Sequence, residues 1–386
     1  MRFSRIKLTN WKNFRSVDVL LQERAFLIGP NASGKSNFLD AFRFLRDVAA
    51  AGGGLQRACD ERGGLSKIRC LSGRTPEGVG ISVELLDDDG SRWSYDVAFK
   101  QQTRFPTPGA IVLTREIVRH DTRIILARPD SDDRNDGRLL SQTALEQIRA
   151  NKDFRPVVDY LASISYLHLV PQIIRDPGGV LRDQSFPEMY GGAFFERIAK
   201  TGDATRKARL KKIQEVLKIA VPQLEGLDFS RDERGIPHLV AKYQHWRPAA
   251  GHQNENQFSD GTLRLIGLLW ALQEGSGLLL LEEPELHLHS GVVSRLAAFI
   301  YKAQQRSKKP TRQVFISTHS VDLLSDRGIG AEELLVFTPT KDGTAVQRGA
   351  DIEQIRDLMQ NGLSASEAAL PQTAVSALMQ LSLFEL

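Results

Sequence analysis

Hydrophobic and polar residues alternate along the first twenty positions of the chain, in the segment RIKLTNWKNFRSVDVLL. A period of two is typical of strands with one buried face, so this segment predicts two antiparallel strands. The apolar run AFLI at 25–28 predicts a buried third strand. The next segment, SNFLDAFRFLRDVAA at 36–50, has the spacing of an amphipathic helix and ends before a glycine run.

Hairpins are predicted where two alternating runs flank a turn. The clearest is GISVELLDDDGSRWSYDVAFK at 80–100, which turns at an Asp-Gly pair. The acidic run Asp87–Asp89 could be imagined as a metal site, but its place at the turn favours a solvated hairpin tip. Short strands are predicted at 111–118 and 122–128, and further hairpins at 224–244 and 333–349.

The rest of the chain alternates between helical and extended patterns. Segment 129–138 is predicted as a polar loop, and 151–220 as mainly helical, interrupted at 164–179 by a strand and a loop. Later elements are predicted as a helix at 262–274, a buried strand at 277–282, a helix at 290–305, a strand at 312–318 and two short helices at the end. This alternation predicts an α/β fold with a parallel core, and the lack of a sustained heptad pattern predicts no long coiled coil.

Composition is that of an ordinary folded protein. The 386 residues are 41% hydrophobic and 25% charged, and the two cysteines show no zinc-finger spacing. The N-terminus lacks a signal-peptide apolar region and no apolar run is long enough to cross a bilayer, so a cytoplasmic protein without membrane contact is expected. The net charge of +4 permits nucleic-acid contact without requiring it.

One basic cluster lies in TRKARLKKIQEVLK at 205–218. Its apolar residues Leu210, Ile213 and Leu217 recur at helical spacing, which predicts one buried face. The opposite basic face is either simply solvated or docks DNA or a partner protein.

The segment Gly29–Ser36 reads GPNASGKS and fits G-x-x-x-x-G-K-[ST] at every constrained position. Glycines let backbone N–H groups fold around phosphate oxygens, and the following helix N-terminus adds partial positive charge. Lys35 is expected to reach the β- and γ-phosphates of ATP, and the Ser36 hydroxyl to bind Mg²⁺. The predicted nucleotide-binding residues are Gly29, Asn31, Ala32, Ser33, Gly34, Lys35, Ser36 and Asn37.

Three further motifs carry candidate chemistry. The buried run GLLLLEEPELHLH delivers Glu282, expected on the metal side, and Glu283, expected to polarise the attacking water. His319 ends another strand, where an imidazole can sense or stabilise the γ-phosphate. Lys35, Glu283 and His319 are the predicted catalytic residues. A Ser-Asp-Gly turn, Ser259 to Gly261, opens an apolar helix and offers a second anion-binding terminus.

In this order the motifs resemble those of the ATP-binding-cassette ATPases, specifically the RecF/SMC-like branch that includes the OLD-family ATPases and AAA_21-like proteins. The opening strands with GPNASGKSNFLDAF look like that branch's Walker A region. FSDGTLR is similar to its signature, LLLLEEPELHLH to its Walker B motif and ISTHS to its switch-histidine segment. The match covers about 1–45 and 255–325.

Two departures from the wider family stand out. The signature reads Ser-Asp-Gly-Thr where transporter ATPases have Ser-Gly-Gly-Gln, and Glu282 replaces the metal-side Asp of Walker B. Both are common in the OLD-like branch. The longer carboxylate changes the geometry around the metal and leaves the hydrolysis rate open.

The resemblance implies an ABC-type head with an antiparallel β subdomain and a helical lobe. It divides the chain into an ATP-binding lobe at 1–150, a helical or insert lobe at 151–250, the signature, Walker B and histidine part at 251–330, and a C-terminal extension at 331–386.

The resemblance also implies a composite site between two heads. Walker A, Walker B and His319 would act within one subunit, while Ser259, Asp260 and Gly261 would act on the nucleotide of the partner. ATP would then join a head dimer, or a higher oligomer, and hydrolysis would release it.

Partners follow from the same resemblance. OLD-type proteins often carry a C-terminal TOPRIM nuclease, but the 66 residues after Ser320 lack its Glu and Asp-x-Asp pattern. An ATPase that controls a separate nuclease or toxin, in bacterial anti-phage defence, is therefore expected. The alternatives are a DNA-repair ATPase that acts directly on DNA and a nucleotide-gated scaffold with little hydrolysis.

Two assignments stay open. Trp11 and Phe14 either flank adenine or, as we favour, pack in the core. The glutamine that usually assists Mg²⁺ in the family has three candidates, Gln101, Gln102 and Gln172.

Overall fold

A computed structural model describes residues 1–71, 78–102, 109–175, 194–245, 251–305 and 312–373. The longest helix of these ranges has 18 residues, Asp203–Ala220. In the same ranges, every helix is too short or too polar to span a lipid bilayer. The described strands are β1 Arg2–Trp11, β2 Phe14–Leu20, β3 Arg24–Ile28, β4 Val79–Leu86, β5 Arg92–Gln101, β6 Ile111–His120, β7 Arg123–Arg128, β8 Ser165–Leu167, β9 Leu224–Arg231, β10 Pro237–Tyr243, β11 His252–Asn254, β12 Leu279–Glu282, β13 Val314–Ser317, β14 Leu334–Thr340 and β15 Gly343–Arg348.

The α-helices are numbered in chain order over the same ranges. They are α1 Lys35–Ala49, α2 Leu55–Asp60, α3 Leu65–Ile68, α4 Ser131–Asn135, α5 Arg155–Ala162, α6 Pro171–Arg175, α7 Phe194–Lys200, α8 Asp203–Ala220, α9 Asp260–Gln273, α10 Ser290–Val293, α11 Leu296–Gln305, α12 Val321–Leu324, α13 Glu353–Gln360 and α14 Ala365–Thr373.

A six-stranded antiparallel sheet is built from the N-terminal part of the chain, in the order β2-β1-β4-β5-β6-β7. The predicted pairing of the first two strands is confirmed, with Ile6 opposite Val19. The hairpin of β4 and β5 turns at 87–91, where Asp88 lies beside the N-terminal ammonium group. The acidic run Asp87–Asp89 therefore lies at the tip of this hairpin, as the sequence predicts.

The central sheet has the order β15-β14-β3-β13-β12-β8, and all neighbours except β14 and β15 are parallel. Parallel strands need crossover connections, so their carboxyl ends lie along one edge. The predicted α/β parallel core is confirmed. The proposed division of the chain at 150, 250 and 330 stays a prediction, and strands from both sides of those boundaries enter this one sheet.

Side chains on the central strands alternate between two hydrophobic cores. Leu280 and Phe315 point to the core shared with α1 and the antiparallel sheet. Their neighbours Leu279 and Ile316 point to the core shared with α9 and α8. Both faces of the sheet are therefore covered, as parallel sheets require.

Aromatic rings fill the space between α1 and the sheets. Phe42 of α1 contacts Phe3, Phe38 and Phe315 edge to face, with centroids 5.0–5.6 Å apart. Each fully buried ring of this size contributes about 1.5–3 kcal/mol by leaving water. Helix α1, and with it the loop that precedes it, is held rigidly against the central sheet.

Trp11 and Phe14 belong to the same core and are fully buried. The Trp11 indole donates to the carbonyl of Asn37, 2.8 Å away. The core-packing alternative is therefore confirmed for both residues.

Helix α8 has the buried face that the sequence predicts, with Leu210, Ile213 and Leu217 all inside the second core. It packs beside β9, which forms the predicted hairpin with β10. Strand β10 contacts α7 and also pairs with β11, which completes a three-stranded sheet. Lys207 and Lys211 are exposed on the outer face.

Three segments differ from the sequence prediction. The predicted polar loop at 129–138 contains helix α4, because Asp130 forms a capping box with Asp133. The predicted loop after β8 contains helix α6, which starts at Pro171, a favourable first helical residue. The single helix predicted at 290–305 is two helices, since α10 ends at Val293 and α11 begins at Leu296.

Gln313 joins the two large sheets. Its buried side chain accepts a hydrogen bond from the Phe3 N–H (2.9 Å) and donates to the carbonyls of Phe3 (2.8 Å) and Gln22 (2.7 Å). These bonds fix the start of β1 beside β13.

We predict that Gln313→Ala lowers the free energy of unfolding by about 2–3 kcal/mol, because a buried N–H and two carbonyls lose their partner. Urea unfolding followed by circular dichroism measures the change. The exposed Gln354→Ala, on α13, serves as the control and should shift stability by less than about 0.5 kcal/mol. Equal effects of the two variants would contradict the bridging role.

Candidate functional site

The candidate site lies at the carboxyl edge of three adjacent parallel strands. In register, Leu27 of β3 lies beside Ser317 of β13, and Ser317 lies beside Glu282 of β12. The residues that follow these strands therefore begin at one level of the sheet. They are the Walker A loop, Glu283 and the segment with His319.

The Walker A loop turns sharply between β3 and α1. Ala32 and Gly34 have positive φ angles of 61° and 97°, and Gly34 immediately precedes α1. A side chain at Gly34 would lie 2.0 Å from the Asn13 amide nitrogen, so both the backbone conformation and the space require glycine. In the loop, Ser33 and Lys35 are buried, whereas Asn31 is exposed.

Asn13 supports this loop from the turn between β1 and β2. Its amide donates to the Ser33 carbonyl (3.0 Å) and to the Thr344 hydroxyl (2.8 Å), and its oxygen accepts from the Asn37 side chain (2.9 Å). The loop is thereby tied to α1 and to β15. This role of Asn13 was not predicted from the sequence, although Asn13 lies in the opening segment that resembles the family.

Lys35 carries the positive charge of the site. Its ammonium group donates to the carbonyls of Gly29 (2.9 Å) and Pro30 (3.0 Å). Burial lowers the pKa of Lys35 to about 8, against the attraction of Glu283 and Glu282, which acts to raise it. A buried cation next to a helix N-terminus is well suited to an anionic phosphate.

Glu282 brings its carboxylate to the start of α1. One oxygen accepts a hydrogen bond from the Ser36 hydroxyl and the other from the Tyr166 hydroxyl. A hydroxyl and a carboxylate are hard oxygen ligands of the kind that Mg²⁺ prefers. The residues of this edge therefore fit a magnesium nucleotide, with Ser36 and Glu282 as the residues that would hold the metal.

Glu283 and His319 face each other across the ends of β12 and β13. The Glu283 carboxylate lies 3.8 Å from the His319 ring nitrogen Nε2. Glu283 has a φ of +43°, a strained value for a side chain of its size, and such strain is common at functional positions. Burial lowers the pKa of His319, and the charge of Lys35 acts in the same direction, so the imidazole is neutral near pH 7.

Glu285 links the Walker B segment to the histidine segment. Its Oε1 accepts a hydrogen bond from the Thr318 hydroxyl (2.6 Å) and from the His319 backbone N–H (3.3 Å). Burial raises the pKa of this carboxyl group. Glu285 was not predicted as a site residue. Its place in the EEPE run is the feature of the sequence that could have indicated a role.

The signature residues open helix α9 of the same chain. Ser259 caps the helix by accepting a hydrogen bond from the Thr262 N–H (3.1 Å), and Asp260 pairs with Arg175 (2.6 Å). A side chain at Gly261 would lie 2.5 Å from the His287 carbonyl, so glycine lets the helix start approach the loop after Walker B. The action of these residues on the nucleotide of a partner head stays a prediction.

Arg264 lies one turn into the signature helix and is only 7% exposed. Burial lowers its pKa, while the carboxylates of Asp260, Glu283 and Glu285 act to raise it. The guanidinium group thus connects the signature helix to Walker B electrostatically, a link that the sequence did not reveal.

Of the three glutamine candidates, Gln172 lies on α6, which follows β8, the edge strand of the central sheet. Its amide donates to the Asp260 carboxylate, 3.3 Å away. Gln101 lies at the end of β5 in the antiparallel sheet and donates to the Gly109 carbonyl.

The family model "AAA domain, putative AbiEii toxin, Type IV TA system" matches residues 24–326. That range begins at β3 and runs past His319, and it covers the Walker A, signature, Walker B and switch-histidine motifs. The chain belongs to this family. Its members are P-loop ATPases of the ABC type, and the fold agrees with that assignment.

Solved structures with a similar fold include heads of SMC proteins. The SmcHead bound to the C-winged helix domain of ScpA is 13% identical, with a TM-score of 0.50, and the match covers 90% of this chain and 98% of that one. The Smc head with an extended coiled coil, bound to the C-terminal domain of ScpA derived from Pyrococcus furiosus, gives the same identity and TM-score over 93% and 99%. At this identity the likeness shows the fold alone.

A curated relative is the endonuclease GajA of Bacillus cereus (strain VD045). It is 45% identical over 47 residues, which are 12% of this chain and 8% of GajA. The chain thus matches only a small part of that protein's length.

We predict that Gly34→Ala weakens ATP binding by about tenfold or more, because the new side chain displaces Asn13 and each lost hydrogen bond costs about 1 kcal/mol. Equilibrium binding of a fluorescent ATP analogue measures the affinity. Gly52→Ala is a matched control, since Gly52 also has a positive φ (74°) but no atom within 4 Å of the added carbon. Equal losses in the two variants would show that backbone strain alone is responsible.

Proposed function

We propose that this chain binds ATP with Mg²⁺ and hydrolyses the nucleotide to ADP and phosphate. The observation that carries the proposal is the convergence of Ser36, Glu282, Glu283 and His319 at the ends of neighbouring parallel strands. Family membership supports the same conclusion.

Each residue has a role that its surroundings allow. The Walker A backbone and Lys35 would bind the phosphates, and Ser36 and Glu282 would hold Mg²⁺, which neutralises charge on the phosphate oxygens when bound. Glu283 would accept a proton from the attacking water. The neutral His319, 3.8 Å from Glu283, would hydrogen-bond the γ-phosphate.

We further propose that ATP joins two heads, with Ser259, Asp260 and Gly261 completing the partner's site. Ser36 and Ser259 are both exposed, so a ligand or a second head can reach them, and Ser259 opens a helix whose N-terminus favours an anionic phosphate. Such a dimer would be a two-state element controlled by nucleotide.

The output of that switch is proposed to be a separate effector, a nuclease or toxin, in anti-phage defence. The toxin named in the family description and the short likeness to the endonuclease GajA support this step. Co-purification of a second protein from native cells tests it.

Direct action on DNA is the second candidate. It is favoured by the exposed lysines of α8, Lys207, Lys211 and Lys218, which share one face of the helix. Salt-sensitive binding of DNA by the purified protein would support it over effector control.

We predict that Glu283→Gln lowers the ATP turnover rate by about 10²–10⁴-fold, because the amide cannot accept the proton of the attacking water. A steady-state phosphate-release assay measures the rate. The exposed Glu353→Gln on α13 is the control and should keep the wild-type rate. An absence of turnover in the wild type would instead favour the nucleotide-gated scaffold.

A further inference from the structure

Tyr166 contacts the carboxylate of Glu282, the residue expected on the metal side of the site. It lies on β8, the strand at the edge of the central sheet, directly opposite Leu280 of β12. Glu282 is two residues beyond Leu280, so its side chain emerges on the same face of the sheet as Tyr166. The tyrosine hydroxyl donates a hydrogen bond to Oε2 of Glu282.

The other oxygen of the same carboxylate faces α1. Oε1 of Glu282 accepts the hydrogen bond from the Ser36 hydroxyl. The two oxygens therefore have different partners, one on α1 and one on β8, which fixes the rotation of the carboxylate plane. A side chain with three rotatable bonds would otherwise sample many orientations.

Tyr166 is itself held in place. The Arg43 guanidinium lies 4.4 Å above the centre of its ring, in the geometry of a cation–π contact. Arg43 is seven residues after Ser36 on α1, so the two project from one face of the helix, two turns apart. Arg43 is anchored in turn, because its guanidinium lies 3.6 Å from the buried Asp40 carboxylate.

We propose that Tyr166 is a positioning residue, which holds Glu282 so that Oε1 stays directed at Ser36 and at the metal of the nucleotide. The arrangement accounts for glutamate at a position where the wider family has aspartate. The longer side chain reaches Tyr166, and the tyrosine hydroxyl removes the extra freedom that the added methylene brings. This inference rests on the proposed binding of Mg²⁺ and ATP.

The test compares nucleotide affinity with and without the metal. The dissociation constant of the non-hydrolysable analogue AMP-PNP is measured in Mg²⁺ and in EDTA. The value in EDTA divided by the value in Mg²⁺ is the Mg²⁺ ratio, which gives the factor by which Mg²⁺ strengthens binding. Tyr166→Phe should reduce this ratio by about tenfold, since loss of a hydrogen-bond partner of a metal ligand commonly lowers metal affinity 10–100-fold. The affinity in EDTA should stay within about twofold of the wild type, because Tyr166 does not touch the Walker A loop.

Tyr95→Phe is the matched control. Tyr95 also donates a hydrogen bond to a glutamate, Glu116, 3.0 Å away, but it lies in the antiparallel sheet. Its loss should lower thermal stability and leave the Mg²⁺ ratio unchanged. An equal fall of the ratio in both variants would mean that general loosening, and not the position of Glu282, explains the effect, and would overturn the inference.

Glu282→Asp gives a second, independent measurement. The shorter carboxylate cannot reach both Ser36 and Tyr166, so this change toward the wider family should lower the Mg²⁺ ratio, and adding Tyr166→Phe should change it no further. An unchanged or higher ratio in Glu282→Asp would overturn the inference, even if Tyr166→Phe failed to fold. A wild-type protein that binds AMP-PNP equally with and without Mg²⁺ would overturn the proposed metal site itself, which distinguishes the two failures.

Discussion

The parallel pairing of β3, β13 and β12 is the constraint on which the site depends. Its register aligns Leu27, Ser317 and Glu282, so that three loops distant in sequence leave the sheet at one level. The two hydrophobic cores hold these strands from both faces, and the rings around Phe42 fix α1 above them. Packing thus determines where the polar side chains meet.

The charged side chains of the site lie around that edge, and burying them costs desolvation free energy. Lys35 is a buried cation whose pKa falls to about 8, and Arg264 is a second buried cation on the signature helix. The carboxylates of Glu282, Glu283 and Glu285 offset part of this cost. Glu285 also holds the His319 segment, so the loops after β12 and β13 are joined by hydrogen bonds of 2.6–3.3 Å.

The sequence predicted the fold class and the central motifs because both depend on local patterns. Glycine positions, strand alternation and the run before Glu282 are readable without tertiary information. Contacts that depend on register were not readable. Tyr166 lies in a three-residue strand with no motif, and its approach to Glu282 follows only from the pairing of β8 with β12. The helices α4 and α6 were missed because α4 is short and polar and α6 is short and begins with proline, and such segments resemble loops in the sequence.

The claim that ATP joins two heads through the signature is tested most directly by the molar mass of the protein in solution. Light scattering with ATP and Mg²⁺ should give a dimer for the wild type and a monomer for Ser259→Arg, since the new side chain would block the partner's γ-phosphate. ATP binding by Ser259→Arg should persist. Ser259→Ala controls for the lost helix cap, which costs about 1 kcal/mol. An ATP-dependent dimer of unchanged mass in Ser259→Arg would contradict the account.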